Sequence, residues 1–348
     1  MQPTGPDAIA GCLLGCAVGD SIGLPYEGLS TRRARRYARL PLRHRFLAGR
    51  GMVSDDTDHT LFVAQALIRS RGDVVAFRNA LAWRLRLWLL CLPAGIGWAT
   101  LKSVIRLWLG FPESGVYSAG NGPAMRSAII GVVFAGDAER RRAHVEASTR
   151  LTHTDPKAFA GALAVAEVAA RIAPREWARK PALEDFVVVL ARLSAEPQWQ
   201  SAVKDLREAC AAQDPIAAAL ERFGSRRGVS GYVLHSVPFA LAAWYHHFGD
   251  YRATIEAITQ AGGDVDTVAA IAGALAGASG GPEGIPAEWI DGVLDWPHGI
   301  AYARALALGL ADPQSNPPAG FSPWLLPRGI LFTLVVLLHG FRRLLPPY

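Results

Sequence analysis

This chain of 348 residues has little cysteine, little of the alternating β-branched pattern that strands need, and no basic segment leading into a long apolar one at its start. Each shortage excludes something. The four cysteines, Cys12, Cys16, Cys91 and Cys210, form no Cys-x-x-Cys or His-rich spacing, which argues against a zinc site. Cys12 and Cys16 lie one helical turn apart, a separation that does not suit disulfide geometry. We expect all four to behave as small buried hydrophobes in a reducing compartment. Without a signal-like start the expected location is cytoplasmic. Residues 31–50 contain no acid, and the uninterrupted apolar run near the C-terminus, Gly329 to His339, is shorter than the ~20 residues needed to span a bilayer.

Hydrophobic residues make up 51% of the chain and the net charge is +6. That balance permits an anionic partner without demanding one. Abundant Ala and Gly favour close-packed helices, and the layout reads as all-α with short links. Helices are expected over 9–21, 58–70, 76–92, 100–109, 123–133, 140–150, 157–172, 183–193, 203–212, 215–223, 232–248, 251–260 and 267–278. Gly11, Gly15 and Gly19 give the first of these a face that another backbone can approach closely. We divide the chain into a helical domain over 1–310 and an appended segment over 311–348. The latter holds a linker with Pro313, Pro317, Pro318 and Pro323, an apolar stretch from Gly329 to His339, basic Arg342 and Arg343, and a Pro-Pro-Tyr end. We read the stretch first as a helix docked on the domain or on a dimer partner, and second as a peripheral membrane contact with its arginines at headgroup level.

Two short acidic clusters carry the chemistry. Ser54-Asp55-Asp56-Thr57-Asp58 and Gly262-Gly263-Asp264-Val265-Asp266-Thr267 lie far apart in the chain, and each leads into an apolar helix. Crowded carboxylates raise each other's pKa unless a cation neutralises them, and hard divalent ions take oxygen ligands of this kind. We therefore read the clusters as two halves of one metal site. Asp55 and Asp56 can both reach it only from a loop–helix junction, where Ser54 suits the N-cap. Asp264 and Asp266 flank Val265, so an extended step there aims both the same way. The helix that follows is so apolar that it must be buried. Neither cluster matches an EF-hand, having no Gly at the sixth loop position and no Glu at the twelfth.

Three more segments accompany the clusters. The breaker-rich turn from Asp20 to Gly28 leaves Glu27 free to face a cleft. Ser118-Ala119-Gly120-Asn121-Gly122 opens a helix with a turn whose amides suit a phosphate or sugar oxygen. In Thr152-His153-Thr154-Asp155-Pro156, His153 taken alone reads as a helix cap. The arginines of 31–50 read as a solvated, mobile loop or helix face beside an active site, with long-range attraction of a phosphate-bearing substrate as a second option. No specific nucleic-acid partner is expected.

In order, Gly19-Asp20-Ser21-Ile22-Gly23 with Tyr26-Glu27, Ser54-Asp55-Asp56-Thr57, Gly120-Asn121-Gly122-x-x-Met125-Arg126, Thr152-His153 and Gly263-Asp264-x-Asp266-Thr267 resemble the ADP-ribosylglycohydrolases. The resemblance covers residues 8–280. It implies a compact, orthogonal multi-helix all-α fold around two Mg2+ or Mn2+ ions. By the same resemblance, Ser54, Asp55, Asp56, Asp264, Asp266 and Thr267 would ligate metal. Ser118, Gly120, Asn121, Gly122 and His153 would hold ADP-ribose, and Glu27 would border the metals. Tyr117 is a candidate adenine-stacking aromatic. Val265 stands where family members often carry Thr or Cys, at a position that need not ligate. The implied reaction removes ADP-ribose from a modified protein side chain or related conjugate, by attack of a metal-bound water at the anomeric carbon. Glu27, Asp56 and Asp264 are its candidate catalytic residues. The residues alone leave open another two-metal phosphoester or nucleotide hydrolase, or a non-catalytic ADP-ribose-binding or immunity module.

Overall fold

A computed structural model describes residues 5–345 apart from 47, 48, 313, 316 and 319. Pro313 of the expected linker and the terminal Pro-Pro-Tyr lie outside the described residues. The fold is all-α. Among the described residues its extended pairings are isolated bridges, such as Val229 with Gly263 and Val116 with His153.

The helices are α1 (Pro6–Gly23), α2 (Thr31–Tyr37), α3 (Asp55–Ser70), α4 (Val74–Leu89), α5 (Trp98–Trp108), α6 (Gly122–Met125), α7 (Ala128–Val133), α8 (Ala138–Arg150) and α9 (Pro156–Ile172). They continue with α10 (Leu183–Ala191), α11 (Pro197–Ala211), α12 (Pro215–Phe223), α13 (Val233–His246), α14 (Tyr251–Thr259), α15 (Val265–Gly280), α16 (Ala287–Ile290), α17 (Ile300–Ala311) and α18 (Leu325–Arg342). Most ends shift from expectation by a few residues, because a capping side chain or first-turn Pro sets them; Asp73, Asp137, Asp214 and Asp250 each accept from a first-turn amide. The stretch expected as one helix over 123–133 is two, α6 and α7. The break falls at Arg126, whose guanidinium turns inward to Ser148, Thr152 and His59. Neither α16 nor α17 is signalled by periodicity, since Gly280-Gly281-Pro282 and Pro286 punctuate that region.

The α1–α15 pair forms the centre. A Cβ on Gly15 would stand 2.2 Å from the Gly273 carbonyl oxygen, and one on Gly11 would stand 2.0 Å from that of Gly277. Backbone therefore lies directly on backbone, which only small residues permit. The pair is antiparallel, so the end of α1 meets the start of α15: a Cβ on Gly23 would lie 2.9 Å from Asp266 Cα. Asp20, in the last turn of α1, accepts from Ser54 N at 2.8 Å and Thr57 N at 3.2 Å, pinning the start of α3 to the same place.

Of the two forms expected for the arginine-rich segment, the helix face is the one found at its start. It begins as α2, and Ala34, Ala38, Leu42, His44 and Phe46 are buried. His44 joins Ser21 Oγ at 3.1 Å and the Trp289 carbonyl at 2.8 Å, which fastens residues after α2 to the core. The arginines occupy the alternate, outward positions. All four cysteines are free, with Cys210 half-buried and the others buried. α18 docks by one side only. Phe332 packs with Leu24, Phe46 and Met52, Arg328 pairs with Asp295 at 2.6 Å, and His339 Nε2 lies 3.1 Å from the Pro25 carbonyl.

Candidate active site

The two acidic clusters meet. Ser54 caps α3 with its Oγ accepting from Asp56 N at 3.2 Å, as its sequence position suggests. Asp55 and Asp56 therefore occupy the first turn, where the helix dipole favours negative charge. Across 211 positions of chain, Thr267 Oγ1 donates to Asp56 Oδ2 at 3.2 Å, and Ser54 Oγ donates to the same oxygen at 3.1 Å. Asp264 sits at the N-cap of α15, with φ −83° and ψ 62°, and Asp266 lies in the first helical turn. The extended step expected from Asp264 to Asp266 is thus replaced by a loop-to-helix junction. Helix entry already separates the two side chains enough to line one wall.

Loop pairing sets the rest. Gly28 N donates to Gly263 O, and Gly263 N to Leu29 O, each at 2.8 Å. This holds the Glu27 turn over the second cluster. Gly263 has φ +87°, and a Cβ on it would come within 1.9 Å of Val229 O; only glycine satisfies both constraints. Asp264 N donates to Val229 O at 2.8 Å, bringing residues 225–231 to the cleft. The resulting cleft holds about 670 Å³, and Glu27, Asp55, Asp56, Asp264, Asp266 and Thr267 line it together with Ser118, Gly120, Asn121, Gly122 and His153. Ser54 lies buried behind Asp56.

The Gly-Asn-Gly turn differs from expectation. Gly120 N is engaged by Ser118 Oγ at 3.3 Å, Asn121 N by Gly231 O at 3.0 Å, and Pro123 has no N–H. The turn presents side chains instead: Asn121 Nδ2 donates to Asp264 Oδ2 at 2.6 Å. Its glycines make room for His153, since a Cβ on Gly120 would stand 2.9 Å from His153 Nε2. His153 is not a helix cap. Asp155 takes that role, accepting from Lys157 N at 2.9 Å. Arg126 donates to Thr152 Oγ1 at 2.8 Å, so the Thr152 hydroxyl can donate to His153 Nδ1 at 2.9 Å. With the hydroxyl donating in this way, the imidazole proton sits on Nε2, facing Gly120. Tyr117 is exposed and does not line the cleft, whereas the exposed Trp98 does.

Electrostatics set this cleft apart. Burial, followed by neighbouring carboxylates, holds Asp55, Asp56 and Asp266 well above the ordinary carboxylate range. Burial also raises Asp264, against hydrogen bonds from Asn121 and Thr267. Asp20 is pushed up to about 6 by burial, with the Thr57 and Ser54 hydrogen bonds opposing. Desolvation on its cleft side, then Asp264, push Glu27 up to about 7; the residue is exposed at the rim, and solvent there tempers the desolvation part. His153 is lowered to about 3 by burial and the Arg126 charge, which keeps it neutral.

Asp20 stood in the motif that carries the resemblance but was given no role there, and the 225–231 loop escaped sequence reasoning. A lone carboxylate in the last turn of an apolar helix was the available signal for Asp20; the loop offered only turn residues. Asp58, although part of the first cluster, points away from the cleft, to His298 Nδ1 at 2.9 Å and Trp88 Nε1 at 3.2 Å.

No group of three or more His, Cys, Asp or Glu side chains among the described residues forms a ready-made metal cage. The donor set nevertheless fits a hard divalent cation. It consists of oxygens alone, and Asp56 Oδ1 and Asp266 Oδ1 are buried without a hydrogen-bond partner. An unpaired buried carboxylate oxygen is costly unless a cation or donor meets it.

The fold and cleft thus define an all-α protein with an oxygen-rich acidic centre fed by distant loops. A family model described as ADP-ribosylglycohydrolase matches residues 1–316. An uncharacterized protein of Archaeoglobus fulgidus is 32% identical over 82% of this chain and 90% of its own length. The ADP-ribosyl-[dinitrogen reductase] glycohydrolase of Rhodospirillum rubrum is 24% identical over 82% of this chain and 91% of its own length. ADP-ribosylhydrolase ARH3 of Gallus gallus is 26% identical over 82% and 88%. A solved structure titled ADP-ribosylglycohydrolase-related protein complex shares the fold, with TM-score 0.67, 23% identity and coverage of 89% of this chain and 99% of its own. The chain belongs to the ADP-ribosylglycohydrolase family.

Proposed function

We propose that this chain is a hydrolase that removes ADP-ribose from a modified protein side chain or a related conjugate, using two divalent cations, Mg2+ or Mn2+. The observation that carries the reading is the junction of the clusters: Thr267 on Asp56 across 211 positions, with Asp56 Oδ1 and Asp266 Oδ1 buried and unpaired beside it. The activities for which the Rhodospirillum and Gallus relatives are named support the substrate class. Ser54, Asp55, Asp56, Asp264, Asp266 and Thr267 would hold the cations. Such ions, when bound, lower the pKa of water and orient hydroxyls.

The chain's own groups do the rest. Neutral His153 offers its Nε2 proton to a ribose or phosphate oxygen lying along Ser118, Gly120 and Gly122. Cleavage at the anomeric carbon builds positive charge on the sugar, and the acidic walls stabilise it. Glu27, poised near neutrality at the rim, accepts a proton from the attacking water or returns one to the leaving group. The test is to replace Asp56 and Asp264 singly by Asn and measure ADP-ribose release across arginine-, serine- and small-molecule-linked substrates with each metal. Release should fall by roughly 10²–10⁴-fold in both variants; unchanged turnover in both rejects the assignment.

A further inference from the structure

Among the described residues, two helices are long and apolar enough, by length and composition, to cross a membrane, and they are treated oppositely. The stretch containing α1 is 94% buried, whereas α18 is only 22% buried. α18 also lies beyond residue 316, where the family match ends. Its inner face is fixed by Phe332, by the Arg328–Asp295 pair and by His339. Its outer face carries Leu326, Ile330, Leu334, Leu337, Leu338 and Phe341, all exposed. These positions recur every three or four residues and form one continuous stripe. The helix ends on Arg342, which lines a cavity of about 660 Å³ with Arg32, Arg33, Arg36 and Arg39. Arg33 Nη2 donates to the Arg343 carbonyl at 3.0 Å, joining α2 to the end of α18. Neither residues 31–50 nor 313–348 contain an acid.

We infer that this face is a docking surface for an anionic phospholipid bilayer, with the α18 stripe in the acyl boundary and the arginine-lined cavity taking headgroup phosphates. A helix apolar on both sides needs cover on both. A second copy of the chain would bring the same acid-free patch to itself and give the arginines no counter-charge. An anionic bilayer supplies apolar depth and phosphate together. α18 lies along this surface and does not cross it, because its inner face is held by the ion pair and by Phe332. The same end reaches the cleft, as Arg343 Nη1 donates to the Glu27 carbonyl at 3.0 Å. Bound membrane would therefore lie beside the Glu27 turn. The inference is independent of the hydrolase reading.

The experiment is flotation of the full chain with vesicles of phosphatidylcholine alone, or with about 30% phosphatidylglycerol added. Binding should be at least about tenfold tighter to the anionic vesicles and weaken with salt. L334E/L338E, at side chains 53% and 69% exposed, should remove binding and leave circular dichroism and melting unchanged. R32E/R36E should lose roughly fivefold per arginine and flatten the salt dependence. If L334E/L338E alters melting, R32E/R36E decides alone. The inference is overturned by equal or absent binding to both vesicles, or by binding that R32E/R36E leaves intact. A dimer in analytical ultracentrifugation that L334E/L338E converts to monomer would overturn it too.

Discussion

Two sets of buried aspartates in this protein are handled in opposite ways. Asp295 sits between Arg328, at 2.6 Å, and the Val53 amide, at 2.9 Å. Asp58 receives His298 and Trp88, and although burial raises its pKa, the His298 hydrogen bond and the Arg328 charge bring it below the ordinary value. In the cleft, Asp55, Asp56, Asp264 and Asp266 face one another and Glu27, and burial dominates. The fold has the means to neutralise a buried carboxylate and applies them one helical turn away. The Arg343 charge reaches Glu27, but among the described residues no Lys or Arg forms a salt bridge with Asp55, Asp56, Asp264 or Asp266, a stability cost confined to one place and the pattern expected of a functional site.

The comparison can be broken by substitution on each side. Asp266→Asn should abolish ADP-ribose release and raise the melting temperature of the metal-free protein, because it removes one of several mutually repelling charges. Asp295→Asn should do the opposite to stability. Leaving Arg328 buried beside a neutral partner should cost about 3–5 kcal/mol in denaturant unfolding. If both changes shift stability in the same direction, the contrast between the two sets is wrong. Gly15→Val tests the frame that brings the clusters together. Its Cβ has no room against Gly273, and overpacking of this kind should destabilise by about 1–3 kcal/mol.

The smallest expected effect is on pH dependence. The cleft acids have folded pKa values above their unfolded ones, so their contribution to stability is present at low pH. It is lost as pH rises through about 6 for Asp20 and about 7 for Glu27. On the proposed reading, a divalent cation among Asp55, Asp56, Asp264 and Asp266 would relieve the charge that holds these neighbouring acids protonated. The rise in melting temperature caused by Mn2+ or Mg2+ should therefore be larger above pH 7 than below pH 6. A rise independent of pH would place the cations elsewhere.

The sequence made some of this legible and hid the rest, for physical reasons. Carboxylates packed beside a hydroxyl at a helix start are too costly to be incidental, so Ser54 to Asp56 and Asp264 to Thr267 could be read without coordinates. The glycine spacing of α1 announced close backbone packing, though not that Gly273 and Gly277 would be the partners. Asp20 was visible in its motif, but its role was hidden because it depends on the amides of Ser54 and Thr57, brought to it only by tertiary folding. Residues 225–231 were hidden because backbone pairing of Val229 with Gly262 and Asp264 places them, and pairing between loops leaves no mark in composition. The Gly-Asn-Gly turn misled for a related reason: its Gly120 and Asn121 amides find partners inside the protein, and it contributes the Asn121 side chain and the space for His153. For α18, composition gave an apolar helix, but only the structure separates the docked face from the exposed one.

The central claim is that distant acidic loops jointly hold divalent cations, and it can be measured without reference to turnover. Anomalous diffraction from crystals equilibrated with Mn2+ should show density bounded by Asp55 and Asp56 on one side and Asp264 and Asp266 on the other, at oxygen distances of about 2.0–2.6 Å. No anomalous density between those carboxylates at saturating Mn2+, with the loops in place, would contradict it.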